Sequence, residues 1–186
     1  FDPELVEWAH ADIVIQERSE EYALPFLPKN DPKLLQSSPK NINGWVPHCT
    51  VLKPFQGDTP PEMSDTSVSH CSTSDNNWAG VLYGCTAPNH CDAHTLSCNP
   101  ETSYKISLWV KGIKNFAGVP VQLHVIGDHG KNFGTVSCTL SNEWQLLQHP
   151  IATDAQTHYL GIQFVKRNHK ASTDFLISTP ALTNSP

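Results

Sequence analysis

The stretch Ser103–Gly112, SYKISLWVKG, alternates without a fault. Tyr104, Ile106, Leu108 and Val110 fall on one face; Lys105, Ser107, Trp109 and Lys111 fall on the other. A period of two is the mark of a half-buried strand, because successive side chains leave opposite sides of a sheet. Similar runs follow in VPVQLHVIG, GTVSCTL, HYLGIQFVKRN and STDFLISTPAL. Turn-forming residues at 127–130, 141–143 and 168–172 separate them. Upstream, GWVPHCTVLKPF and WAGVLYGC read as single strands, whereas DTPPEMSDTSVSHCSTSDNN has no useful period and reads as a long loop. Many short strands with almost no helical periodicity predict an all-β, antiparallel β-sandwich.

Composition agrees with that class and excludes others. A chain of 186 residues with 38% hydrophobic content can bury one core, with an arm to spare. Only 16% of residues are charged and the net charge is −6, so a nucleic-acid partner is not expected. No apolar run is long enough for a helix to span a bilayer, so no membrane span is expected. The chain opens on Phe1 and reads as a processed mature segment.

Residues 1–40 differ from the rest. They carry much of the acidic excess and are rich in proline, with a short strand expected at Ala11–Ile15 and a helical turn at Glu17–Leu24. Leu5, Val6, Trp8, Ile13, Val14 and Ile15 are too few to form a core alone, so the segment reads as an extended N-terminal arm. The organisation expected is an arm over 1–40 and a sandwich over 41–186. The apolar residues of the arm must pack on this chain or on a neighbouring copy.

The six cysteines are Cys49, Cys71, Cys85, Cys91, Cys98 and Cys138. An even number in a loop-rich, weakly charged chain predicts three disulfides of unknown pairing, a stapled loop around Cys85–Cys98, and a secreted, extracellular protein. A zinc site is the competing reading of PNHCDAHTLSC, where His90 and His94 flank Cys91. However, no C-x-x-C pair occurs, so no metal is expected.

From Tyr104 onward the motifs form a recognisable order: Y-x-I-S-x-W-V-K, P-V-Q-L, a tryptophan opening EWQLL, Y-L-x-I-Q-F and a closing D-F-L-I. This order resembles the β-jelly-roll carbohydrate-binding modules of galactose-binding-like fold that accompany xylanases. The resemblance covers about residues 43–182, with GWVPHCTV matching the early Gly-Trp strand. It implies a jelly-roll sandwich, a polysaccharide or other glycan as partner, no catalysis, and core positions for Trp45 and Trp144. The family's structural calcium commonly uses a Phe-Glu pair in the opening turn and an aspartate after D-F-x-I. Here no Phe-Glu precedes Trp45, and Ser178 stands at the second position, so no cofactor is expected.

If the strands share a sheet, as the resemblance implies, one outward face carries Trp109, Gln122, His124, Tyr159 and Gln163. Aromatic plates suit the C–H faces of sugar rings, and neutral amides and imidazoles suit hydroxyls. That face is either a glycan cleft or a strip covered by the arm or a second subunit. Alternation alone does not choose between them. Trp78 and Tyr83 fit either a site or a core. The alternative to a binding module is a structural subunit of an extracellular filament or surface assembly, self-associating through residues 1–40. Enzyme signatures are lacking: there is no G-x-S-x-G or H-E-x-x-H, and Asp128, Glu143, Asp154 and Asp174 sit in or beside turns.

Overall fold

The computed structural model describes residues 42–61, 67–85, 91 and 96–186. The arm over 1–40, with its expected strand and helical turn, lies outside the described residues, as do His90 and His94. The described strands are β1 (Trp45–His48), β2 (Thr50–Phe55), β3 (Val68–Thr73), β4 (Gly80–Tyr83), β5 (Leu96–Ser97) and β6 (Ser103–Lys114). They continue as β7 (Pro120–Gly127), β8 (Asn132–Thr139), β9 (Gln145–Ala152), β10 (Tyr159–Lys166), β11 (Asp174–Ser178) and β12 (Ala181–Asn184). Sheet I runs β1-β4-β10-β7-β8, with β5 paired to the first residues of β10. Sheet II runs β2-β3-β11-β6, with β12 beside the first half of β6 and β9 on its other edge. All pairings are antiparallel, and the two sheets form a sandwich of jelly-roll type.

The alternation sets the core. On β6 it is Tyr104, Ile106, Leu108 and Val110 that are buried, as the period requires. On β7 and β10 the inward residues are Val121, Leu123 and Val125, and Leu160, Ile162 and Phe164. Phe164 of sheet I meets Phe175 of sheet II edge-on, with ring centroids 5.3 Å apart. Trp45 is fully buried, as expected, and stands edge-on to Tyr83 at 5.3 Å. Its indole N–H donates to the Ser178 carbonyl at 3.2 Å, so it satisfies its polar atom while filling the core. Trp144 is only half-buried, and its Nε1 donates to Asp58.

Two segments depart from expectation. GWVPHCTVLKPF is two strands, because Cys49 adopts φ 49° and turns the chain from sheet I into sheet II. The presumed loop contains β3, which lies inside sheet II between β2 and β11. Its inward residues are Ser69, Cys71 and Thr73, small and mostly polar, so the apolar period is missing from the sequence. Their hydroxyls are satisfied nonetheless: Thr73 Oγ1 donates to the Thr173 carbonyl at 3.1 Å, and Ser69 Oγ accepts from Asn43.

The disulfide staple is not present. Cys49, Cys71, Cys85, Cys91, Cys98 and Cys138 form no disulfide in this structure. Placement keeps three of them apart. Cys71 is an inward residue of β3, Cys138 lies on β8 in the other sheet, and Cys49 is exposed at the turn between sheets. Burial pushes the Cys71 and Cys138 thiols above their ordinary range. Burial, helped by the charge of Asp128, raises Cys98 to about 11. These are thiols acting as small hydrophobes, not reactive nucleophiles. Dithiothreitol is therefore expected to leave the thermal midpoint unchanged by calorimetry. A drop of several degrees would show that a covalent cross-link supports the fold.

Candidate functional site

The outer face of sheet I is built by register. One row of paired residues runs His48, Gly80, Val165, Gln122 and Ser137 across β1, β4, β10, β7 and β8. The next row runs Val46, Leu82, Gln163, His124 and Thr135. Between them they floor a groove of about 470 Å³, which His48, Leu82, Gln122, His124, Thr135, Gln163 and Val165 line together with Asn132 and Trp78. Trp78 comes from the turn between β3 and β4 and stands 47% exposed, a large apolar plate facing solvent. Gln163 sits on the floor, buried.

Hydrogen bonding and burial set the groove's charge. His124 Nδ1 and Thr135 Oγ1 are 2.9 Å apart. Burial lowers the pKa of His48, and burial also lowers that of His124, where a backbone hydrogen bond at Gly134 opposes the shift and the nearby His149 adds to it. Both imidazoles are therefore neutral at pH 7, each able to donate from one nitrogen and accept at the other. Among the described residues, neither Asp, Glu, Lys nor Arg lines the groove. Because both pKa values lie below the unfolded value of about 6.5, the stability these groups confer is fully present above that value. It is lost as pH falls through the folded pKa values. Chemical denaturation is expected to show a lower midpoint at pH 5 than at pH 7.5, with the difference reduced in His48→Asn/His124→Asn.

At the other end of the same face lies an apolar cluster. Leu82, Cys85, Cys91 and Ile126 are buried together there, with Val46 and Tyr159 packed against them. A Cβ on Gly161 would stand 2.4 Å from Cys85 Sγ, so the cluster sits directly on the β10 backbone.

Of the residues expected on one face, Gln122, His124 and Gln163 come together in the groove. Tyr159 shares the face but packs into the apolar cluster. Trp109 does not share the sheet at all. It lies on β6 in sheet II, paired with Leu146 of β9, and its backbone N–H donates to Ser178 Oγ at 2.9 Å. Consecutive strands of a sandwich often belong to opposite sheets, and alternation fixes a residue's face without fixing its sheet. Near Trp109's strand end, the Asp58 carboxylate bridges Lys111 and Trp144 Nε1, and these bonds hold its pKa below the usual range. His48, Leu82, Asn132, Thr135 and Trp78 were not singled out by alternation. Trp78 was expected on the strand WAGVLYGC, fitting either a site or a core; it lies instead in the turn before β4, which begins at Gly80, and stands exposed.

The structure also brings together the two positions where a structural calcium was considered. Asn43 Nδ2 donates to the Val68 carbonyl at 3.2 Å and to Ser69 Oγ at 3.0 Å, and Val68 pairs with Ser178. Ser178 Oγ accepts from Trp109 N and donates to the Thr179 carbonyl. Calcium wants six to eight oxygen ligands, carboxylates among them. Here the hydroxyl and the amide are already committed to the protein and no carboxylate is supplied among the described residues, so these residues do not fit the ion.

No protein-family model matches the chain, and no curated protein matches it. Solved structures match it in fold. The CBM22-1 xylan-binding domain of Paenibacillus barcinonensis Xyn10C aligns over 76% of this chain and 85% of its own, at 12% identity and TM-score 0.53. The CBM22-1 and GH10 modules of Clostridium thermocellum Xyn10B, solved with xylohexaose, align over 80% of this chain and 27% of their own, at 15% identity and TM-score 0.51. An exo-beta-agarase aligns over 80% of this chain and 24% of its own, at 8% identity and TM-score 0.57. The sandwich is thus of the kind found in xylanase-associated carbohydrate-binding modules.

Proposed function

We propose that the chain is a non-catalytic, extracellular module that binds a neutral polysaccharide in the outer groove of sheet I. The observation that carries this reading is the chemistry of the lining. Trp78 offers a plate for a sugar ring, and Gln122, Gln163, His48, His124, Asn132 and Thr135 offer paired donors and acceptors for hydroxyls. With no charged residue in the lining, the groove suits an uncharged chain better than a uronate or a sulfated glycan. Among the described residues its lining also holds no pair of carboxylates of the kind glycoside hydrolysis uses. The likeness in fold to a xylan-binding domain makes xylan the first probe.

Affinity electrophoresis against xylan, mixed-linkage β-glucan, agarose and a sulfated control tests this. Retardation by at least one neutral glycan, absent with the sulfated one, is expected. No retardation by any of them would sink the reading.

A further inference from the structure

Lys166, the last residue of β10, is fully buried, with none of its surface reaching solvent. An ammonium withdrawn from water is costly unless its protons find acceptors. Its Nζ donates to the carbonyls of Ser74 and Ala171, each at 2.7 Å. Its main-chain N–H donates to the Ala79 carbonyl at 2.9 Å. Ser74 and Ala79 are the two feet of the turn that carries Trp78.

The turn is braced internally as well. Trp78 N donates to Asn76 Oδ1 at 2.9 Å, and Asn76 N donates to Ser74 Oγ at 3.2 Å. Ala79 N donates to the Asn76 carbonyl at 3.3 Å, and Ser74 N to the Cys49 carbonyl at 2.9 Å. Nevertheless, both ends of the turn are tied to β10 through this one lysine. β10 also supplies Gln163 and Val165 to the groove floor. A single residue thus connects the strand of the groove floor to the turn that carries the aromatic plate.

We propose that Lys166 is the positioning residue of the groove, its ammonium fixing Trp78 against the groove floor through the Ser74 carbonyl, beside a main-chain bond to Ala79 that any residue at 166 would make. The inference rests on the glycan-binding reading for its functional meaning, while its structural half is readable without any ligand.

The test compares Lys166→Met, which keeps the stem and removes the donors, with Lys166→Arg, which keeps charge and donors. Acrylamide quenching isolates Trp78 by subtracting the same protein carrying Trp78→Phe. Titration calorimetry with xylohexaose, or with whichever glycan the intact protein retains, gives affinity. Lys166→Met is expected to raise the quenching constant of Trp78 and to weaken binding about tenfold. It should weaken nothing further in a Trp78→Ala background, and Lys166→Arg should recover part of both signals.

An unchanged Trp78 quenching constant in Lys166→Met would overturn the inference. So would an affinity loss of equal size with and without Trp78, since Lys166 would then act on the domain at large. Failure of both variants to fold would assign the lysine to architecture alone and overturn it too. If the intact protein binds no glycan, the function reading falls, while quenching still decides whether Lys166 sets Trp78.

Discussion

Trp78→Ala is expected to lower glycan affinity by about 2–3 kcal/mol, roughly 30- to 150-fold, while leaving the thermal midpoint within about 2 °C of the parent. The two halves of this expectation have separate causes. The side chain is 47% exposed, so truncating it uncovers little core and creates no closed cavity. Its indole is the large aromatic plate in the lining, so removal takes away the stacking surface and leaves only hydrogen-bonding groups. Hydrogen bonds to sugar hydroxyls merely exchange for bonds to water and contribute little net free energy each. Trp109→Ala is the informative contrast. Trp109 lies in the other sheet, so its truncation should cost stability and leave affinity unchanged. Titration calorimetry paired with thermal denaturation of both variants separates the cases. Affinity lost in Trp109→Ala and kept in Trp78→Ala would move the site to sheet II.

Gly80→Ala should be among the most damaging single-methyl additions this fold can receive. A Cβ there would stand 2.0 Å from the Phe164 carbonyl oxygen and 2.6 Å from Val165 Cα. Both atoms are backbone, so no side chain can rotate away. Relief requires β4 to separate from β10, and that breaks the ladder that joins them. Overpacking of this kind is expected to cost about 3 kcal/mol or more, which lowers the thermal midpoint by roughly 10 °C in a domain of this size. Gly118→Ala provides the control. Its φ of +73° penalises any side chain, but nothing lies within 4 Å of the added methyl, so about 1 kcal/mol is expected. Equal midpoints for the two variants would mean that the β4–β10 contact is looser than the geometry states.

The fold was legible where side chains alternate by polarity. β6, β7 and β10 announce both their faces, because their inward residues are aliphatic or aromatic and their outward ones are largely not. β3 was not legible, because Ser69, Cys71 and Thr73 do the inward packing and their hydroxyls are satisfied only by partners far along the chain. The corner at Cys49 was hidden for a different reason. A left-handed cysteine leaves no compositional mark, and the residues on either side continue as good strand formers.

The site was legible in part on the same terms. Gln122, His124 and Gln163 follow from period two, since they are outward on strands that do pair. Trp109 obeys the same period and still fails to join them, because pairing is a long-range fact that no local pattern encodes. The cysteines misled through composition. Their number suggested staples, whereas Cys71, Cys85 and Cys91 are buried among core residues, the last two in the cluster over Gly161.

That cluster also sets a ruler. With Cys85, Cys91 and Ile126 packed toward one end of the β10 direction, a glycan in the groove would lie across the strands from β1 to β8, whose residues line it. Four inter-strand steps of about 4.8 Å amount to about 19 Å, the span of a short oligosaccharide and well beyond a single sugar. If the groove binds a glycan as proposed, recognition would grow with each unit added until the last strand is reached and then stop. The protein would measure its ligand by counting strands, and a monosaccharide would be too short to register.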